Sequence, residues 1–226
     1  RQGTGGPGPN NWDEDNVVIR DGKLVLKITK GADGKWYAAQ IMTAEQLGYG
    51  IYEFTLDTKV DFDPNIVLAG FTYLDDTNEI DVEYTKWGHP DEPENAQFAV
   101  QPYDASIHNL LRFSVPNNLS GINHQIIHLP DDITLTAFNA NDGKILERWE
   151  YVGDHVPQEK AGWYFNLWLV RGQAPLDGKE LEVVIRDFKF TPMPVPGDEP
   201  ETITKAVREL RDELSSQKKL ADIKKL

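Results

Sequence analysis

Short runs of alternating apolar and polar residues, or of clustered β-branched residues, occupy most of the chain. Such runs predict β-strands, because successive side chains on a strand point to opposite faces. The predicted strands cover residues 17–20, 23–29, 50–56, 66–73, 79–85, 96–100, 110–115, 125–129, 133–138, 163–170 and 181–190.

Turn-forming residues separate most of these runs, as at Asp21-Gly22, Asp33-Gly34 and Asp177-Gly178. Asp-Gly pairs tolerate the positive φ angles that tight hairpins require. About eleven strands with no helical pattern between them predict an all-β fold, a two-sheet antiparallel sandwich.

The two ends of the chain differ from this pattern. Residues 1–10 are rich in Gly and Pro and predict a flexible N-terminal segment, so that the sandwich domain covers residues 11–192. Residues 193–200 form a Pro-rich linker, and helical spacing of apolar residues then predicts a C-terminal helix over 201–226. This helix either packs on its own sandwich, hangs as an appendage or serves as a short oligomerising coil.

Composition narrows the choice of ligand. The 226 residues carry 37 acids and 23 bases, a formal net charge of −14, which disfavours nucleic acid and anionic membrane surfaces as partners. Without any cysteine the chain has no disulfide, zinc thiolate or thiol nucleophile. The expected ligand is neutral or cationic.

One predicted strand carries three acids in alternation, at Glu79, Asp81 and Glu83. Period two places all three on one face, while Ile80 and Val82 enter the core. Three carboxylates side by side repel one another and bring no structural gain. Cleavage of a glycosidic bond does need two carboxyl groups that flank the bond, about 5–5.5 Å apart if the anomeric configuration is retained.

The segment Glu79-Ile-Asp-Val-Glu83 resembles the E-[IL]-D-[IV]-E signature of glycoside hydrolase family 16, the lichenase- and laminarinase-like β-glucanases. Other segments resemble the same family in the expected order. They are Asn16-Val17 with Asp21-Gly22-Lys23-Leu24, Gly48–Glu53, Gly70–Tyr73, Asn166-Leu167-Trp168 and Val183–Phe190.

The resemblance implies a jelly-roll, concanavalin A-like sandwich with a concave sugar-binding sheet. It also implies a retaining endo-β-glycosidase that hydrolyses a neutral polysaccharide, β-1,3 or mixed β-1,3/1,4-glucan, by double displacement. Glu79 is then the nucleophile, Asp81 its assistant and Glu83 the general acid/base. The polymeric substrate implies a secreted or periplasmic protein.

Several further residues are candidates for substrate binding. Trp87 shares the face of the acids if the strand continues beyond Glu83, and Asn166 and Trp168 belong to the matching N-L-W segment. Gln40, Tyr73 and Gln101 are weaker candidates. His124 and His128 alternate with apolar residues, and a structural role is the better interpretation of both.

The resemblance requires no cofactor, but family members often hold a structural calcium ion, and Gly22 and Asp187 match two of its ligand positions. Two other interpretations of the acids remain. One is a lectin-like module that binds polysaccharide without cleaving it. The other is a calcium site at the acidic triplet, which is disfavoured because acids at i and i+4 lie about 13 Å apart on a straight strand.

Overall fold

The computed structural model describes residues 1–193, in which fifteen strands and two short 3₁₀ turns (Glu14–Asn16 and Val170–Gly172) form a β-sandwich. The predicted linker and C-terminal helix lie outside the described residues, apart from Met193, and so does the predicted oligomerising coil. The strands are β1 Gly3–Gly5, β2 Asn10–Trp12, β3 Val17–Arg20, β4 Lys23–Lys30, β5 Trp36–Met42, β6 Gly50–Leu56, β7 Ile66–Asp75, β8 Asn78–Tyr84, β9 Ala96–Val100, β10 Leu110–Phe113, β11 Ile122–His128, β12 Ile133–Asn139, β13 Ile145–Tyr151, β14 Gly162–Leu169 and β15 Leu181–Pro192.

Two groups of strands build the sandwich. The first, here called the cleft sheet, has the order β10-β9-β8-β7-β14-β5, and the second, here called the outer sheet, has the order β4-β15-β6-β11-β12-β13 with β3 beside β4. A short β4–β5 pairing joins the two sheets. All pairings among the described strands are antiparallel except that of β2 with β5, which confirms the predicted all-β antiparallel class.

The core lies between the sheets and is built from the inward half of each alternating strand. On β8, Ile80, Val82 and Tyr84 are almost completely buried. The Tyr84 hydroxyl lies 2.8 Å from Nε2 of His124 on β11, so a hydrogen bond links the two sheets. His128 is also buried, with Nε2 2.8 Å from the Pro157 carbonyl oxygen. Both histidines are therefore structural, as predicted.

The first ten residues differ from the expected flexible segment. β1 pairs with β2, and β2 pairs in parallel with β5, so this part of the chain is an arm of the sheet. The Asn10 side chain makes two hydrogen bonds to the backbone of β14. It donates to the Leu169 carbonyl at 2.9 Å and accepts from the Leu169 amide at 3.0 Å. The sequence did not predict these strands because a segment rich in glycine and proline has no alternating hydrophobic pattern.

All eleven predicted strands overlap strands of the structure, but β5 and β13 were not predicted, nor were the two strands of the N-terminal arm. β13 carries charged residues at half-buried positions and lies at the edge of the outer sheet. Within the described residues, no helix has the length and apolar character needed to cross a membrane.

Candidate active site

The three acids lie on a strand in the interior of the cleft sheet. From Ile80 to Tyr84, β8 pairs without interruption with β7 on one side and β9 on the other. This regular register keeps the side chains in strict alternation, so the predicted sharing of one face is correct. Glu79, Asp81 and Glu83 all line one open cleft of about 780 Å³.

The other six residues predicted to bind substrate line the same cleft. One row of cross-strand neighbours crosses the cleft sheet. It runs from Gln40 through Asn166 and Ala69 to Glu83. It continues beyond Glu83 through Gln97 to Arg112. The row runs across all six strands of the cleft sheet. It places Glu83 between Ala69 and Gln97, with Arg112 on the far side of Gln97.

Tyr73 and Gln101 flank the other end of the triplet. Tyr73 is the cross-strand neighbour of Glu79, and its hydroxyl donates to Asp76 at 2.9 Å. Gln101 donates from Nε2 to Oδ2 of Asp81 at 3.0 Å, although it lies just beyond the end of β9. Of these two weaker candidates, Gln101 is hydrogen-bonded to an acid of the triplet, and Tyr73 is bonded to the neighbouring Asp76.

Glu79 and Asp81 titrate as a linked pair. Burial raises the pKa of Asp81 well above its usual value, the negative charge of Glu79 raises it further, and the hydrogen bond from Gln101 opposes the rise. Burial also raises the pKa of Glu79, to about 7, and a hydrogen bond from Asp81 opposes this rise. A hydrogen bond between two carboxyl groups needs one proton. These directions assign that proton to Asp81 and leave the charge on Glu79.

Glu83 is the acid that holds its proton into neutral pH. Burial, with a smaller contribution from the negative charge of Asp81, raises the pKa of Glu83 from 4.5 to about 8. The hydrogen bond from Gln97 and the positive charge of Arg112 oppose this rise. Carboxyl groups in one cleft thus differ in protonation, which is the arrangement that acid catalysis beside a nucleophile requires.

Trp87 reaches the cleft by a route other than the predicted one. β8 ends at Tyr84, so the strand does not continue, and Trp87 lies in the following loop with a positive φ of 52°. Its indole packs edge-to-face against Trp168 with ring centroids 6.0 Å apart. Two indoles therefore form one wall of the cleft. The face of an indole is a surface on which a pyranose ring can stack.

Asn166 lies on the cleft floor and has a side-chain oxygen without a hydrogen-bond partner among the described residues. Its side chain is 3% exposed, and the unpartnered oxygen is Oδ1. A buried amide oxygen of this kind carries a desolvation cost unless a ligand or a water molecule donates to it. A sugar hydroxyl in the cleft is a suitable donor.

Sequence reasoning missed several residues of the site. Gln97 and Arg112 belong to the row of Glu83, and Phe71 and Tyr164 stack with ring centroids 5.2 Å apart on the cleft floor. Arg1 of the N-terminal arm also lines the cleft, where its guanidinium donates to Oε1 of Gln40 at 2.9 Å. Period two along β9 could have identified Gln97, whereas the position of Arg1 follows from its hydrogen bonds to Gln40, which no sequence pattern indicates.

The residues predicted to hold calcium lie at the far end of the β4–β15 ladder. Leu24 pairs with Ile185 at this end; Gly22 lies in the turn that precedes β4, and Asp187 lies on β15 two residues beyond Ile185. One carbonyl and one carboxylate supply fewer oxygens than the six to eight that calcium takes. No group of three or more His, Asp or Glu residues suited to a metal occurs within residues 1–193. Calcium at Gly22 and Asp187 stays a prediction.

The fold is that of known β-glucanases. A β-glucanase of Bacillus licheniformis superposes with a TM-score of 0.64 at 20% identity, covering 85% of this chain and 90% of that chain. A glycoside hydrolase family 16 endo-glucanase from Bacteroides ovatus superposes with a TM-score of 0.61 at 15% identity, covering 83% and 92%.

A third structure with this fold is described as an immunostimulatory antigen and pseudo β-1,3-glucanase of Mycobacterium tuberculosis. It superposes with a TM-score of 0.62 at 16% identity, covering 82% of each chain. The sequence itself matches no protein-family model and no curated protein. At these identities the likeness establishes a family 16 β-glucanase fold, and activity has to be argued from the site.

Proposed function

We propose that this protein is a retaining endo-β-glycosidase that hydrolyses a neutral polysaccharide, β-1,3 or mixed β-1,3/1,4-glucan. The observation that carries the proposal is the arrangement of Glu79, Asp81 and Glu83 on one uninterrupted strand in an open cleft. The fold shared with β-glucanases supports it. The chemistry follows from the protonation of the three groups.

Glu79 is the nucleophile. Its carboxylate attacks the anomeric carbon and forms a glycosyl ester while the glycosidic C–O bond breaks. Asp81 donates a hydrogen bond to Glu79, which keeps the charge on Glu79 before attack. This bond also orients the carboxylate beneath the sugar.

Glu83 is the general acid and then the general base. Its proton passes to the glycosidic oxygen, so the leaving sugar departs as a neutral alcohol. Glu83, now a carboxylate, takes a proton from water, and the hydroxide equivalent cleaves the glycosyl ester of Glu79. Two displacements at one carbon restore the original anomeric configuration.

Cleft shape and lining support a neutral polymer cleaved internally. Indoles line one end of the acids at Trp87 and Trp168, and phenols line the other at Tyr73 and Tyr103. Aromatic surfaces on both sides of the reacting groups suit a chain that continues in both directions. The acids themselves disfavour an anionic glycan.

The competing function is polysaccharide binding without cleavage. It is retained as an alternative because one structure with this fold is described as a pseudo β-1,3-glucanase. The experiment that separates the two measures reducing ends released from laminarin and lichenan, with NMR of the first product's anomeric configuration. We expect release with retention, and loss of it by about 10³-fold or more in Glu79→Gln. Glu45→Gln, which alters an exposed acid outside the cleft, is the matched control and should stay active.

Binding detected by calorimetry with no products from the wild-type protein would refute the enzymatic proposal, and products of inverted configuration would refute the double displacement. A polymeric substrate also implies secretion or a periplasmic location. Calcium bound near Gly22 and Asp187 would act on stability, and equilibrium dialysis followed by unfolding with and without a chelator tests it.

A further inference from the structure

We propose that Gln97, held in one orientation by Trp87 and Arg112, determines which carboxyl oxygen of Glu83 carries the proton that is delivered to the leaving group. This inference rests on the proposed function and names positioning residues for its acid step. It concerns residues that the sequence motif does not contain.

Gln97 lies beside Glu83 in the row that crosses the cleft sheet. It is the cross-strand partner of Glu83 on one side and of Arg112 on the other. Its Nε2 lies 2.5 Å from Oε2 of Glu83, and the side chain is 3% exposed. Among the described residues, this is the one hydrogen bond to the Glu83 carboxyl group.

Two donors fix the orientation of the Gln97 amide. The Trp87 indole Nε1 lies 2.9 Å from Oε1 of Gln97, and Arg112 Nη1 lies 3.1 Å from the same atom. Indole and guanidinium nitrogens only donate hydrogen bonds, so the atom they share must be the amide oxygen. A flipped amide would set its NH₂ against both donors. The NH₂ group therefore faces Glu83.

An amide nitrogen cannot accept a hydrogen bond, and this restricts the proton on Glu83. A proton on Oε2 would point at the Gln97 NH₂ group and lose the 2.5 Å hydrogen bond. The favourable state has Oε2 as the acceptor and the proton on Oε1. The acid is thus held with its proton on the oxygen that Gln97 leaves free.

The same bond acts in both chemical steps. As the Oε1–H bond of Glu83 breaks and the proton joins the glycosidic oxygen, charge develops on the carboxylate, to which Gln97 already donates. A hydrogen bond to a charged acceptor is stronger than one to a neutral acceptor, so the bond strengthens as the transition state forms. In the second step Glu83 gains a proton from water and returns to its first state.

Arg112 extends this unit into the loop that carries Trp87. Its Nη2 donates to the carbonyls of Thr85 at 3.2 Å and Glu94 at 2.5 Å, near the two ends of the loop. A sugar stacked on Trp87 therefore rests on the group that fixes Gln97. Substrate position and proton position share one set of hydrogen bonds.

The test compares Gln97→Leu with the wild-type protein on two substrates. A glucan oligosaccharide needs protonation of its leaving group, whereas a 2,4-dinitrophenyl glycoside does not. We expect kcat/KM to fall about 10- to 100-fold for the oligosaccharide and by less than about 3-fold for the aryl glycoside. The basic limb of the oligosaccharide pH profile should move to higher pH, because loss of the donor disfavours the carboxylate.

Gln101→Leu is the matched control, because it removes the same kind of amide from Asp81. It should move the acidic limb and leave the basic limb in place. Arg112→Lys keeps the positive charge and removes one of the two donors that orient Gln97, so it should reproduce part of the Gln97→Leu effect. It serves as the second variant if Gln97→Leu does not fold. Carbon-13 titration of Glu83 gives the same shift without turnover.

If the wild-type protein hydrolyses both substrates, and Gln97→Leu lowers kcat/KM equally on both without moving the basic limb, this inference alone is overturned. An unmoved Glu83 titration in both variants would do the same. Absence of hydrolysis by the wild-type protein would instead overturn the proposed function, and the acid step with it.

Discussion

Replacing Glu83 by glutamine should stabilise the fold, and the gain should grow with pH. Glu83 is 8% exposed and has its pKa raised from 4.5 to about 8, mainly by burial. A raised pKa means that the folded state binds the proton more tightly than the unfolded state does. The resulting stability is fully present below about pH 4.5 and is lost as pH rises towards about 8.

The magnitude follows from the two pKa values. At about 1.4 kcal/mol per pH unit, a rise from 4.5 to about 8 corresponds to about 4–5 kcal/mol of unfolding free energy. Relaxation around the ionised group reduces this, so about 2–4 kcal/mol is the expected loss in the wild-type protein. The amide side chain introduced by Glu83→Gln would still accept the hydrogen bond from Gln97 through its oxygen, without ever ionising.

Urea unfolding of the wild-type protein and Glu83→Gln at about pH 5 and about pH 9 measures the effect. The stability advantage of Glu83→Gln should be about 2–4 kcal/mol larger at the higher pH. Glu45→Gln, which alters an exposed acid outside the cleft, is the control for the substitution itself. A constant difference for Glu83→Gln across this range would show that burial does not hold the Glu83 proton.

Three further outcomes are expected. The pH profile of kcat/KM should be bell-shaped, with a basic limb near 8 set by Glu83, and initial rates across pH measure it. Trp87→Ala should raise KM about 3- to 10-fold, as steady-state kinetics would show, since it removes a stacking surface. Gly70→Ala should lower the free energy of unfolding by about 1–3 kcal/mol in urea titrations, because a Cβ would lie 2.9 Å from the Phe165 ring. Unchanged values would contradict each expectation.

Alternation along single strands was the part of the site that sequence could predict. Period two placed the three acids on one face, and the register of β8 with its neighbours keeps them there. The same period places Asn166 and Trp168 on the cleft face, whereas Leu167 between them does not line the cleft. These are properties of one strand, and they need no knowledge of which strands pair.

Contacts between residues on different strands could not be predicted from the sequence. Gln97 meets both Glu83 and Arg112 only because β8, β9 and β10 pair in one particular register. Trp87 was expected on an extended strand and instead lies in a loop, since the chain adopts a positive φ there. The N-terminal arm escaped prediction because a single buried aromatic, Trp12, and hydrogen bonds hold it, and neither produces a hydrophobic period in the sequence.

Ala69 is the smallest side chain in the row of Glu83 and lies directly beside it, between the acid and Asn166. It is 3% exposed and lines the cleft, so a single methyl group sets the clearance on that flank of the acid. Bulkier aliphatic residues at this position would narrow the passage stepwise without altering any group that handles protons. The size of the side chain at position 69 therefore limits which ring substituents of a bound saccharide fit beside Glu83.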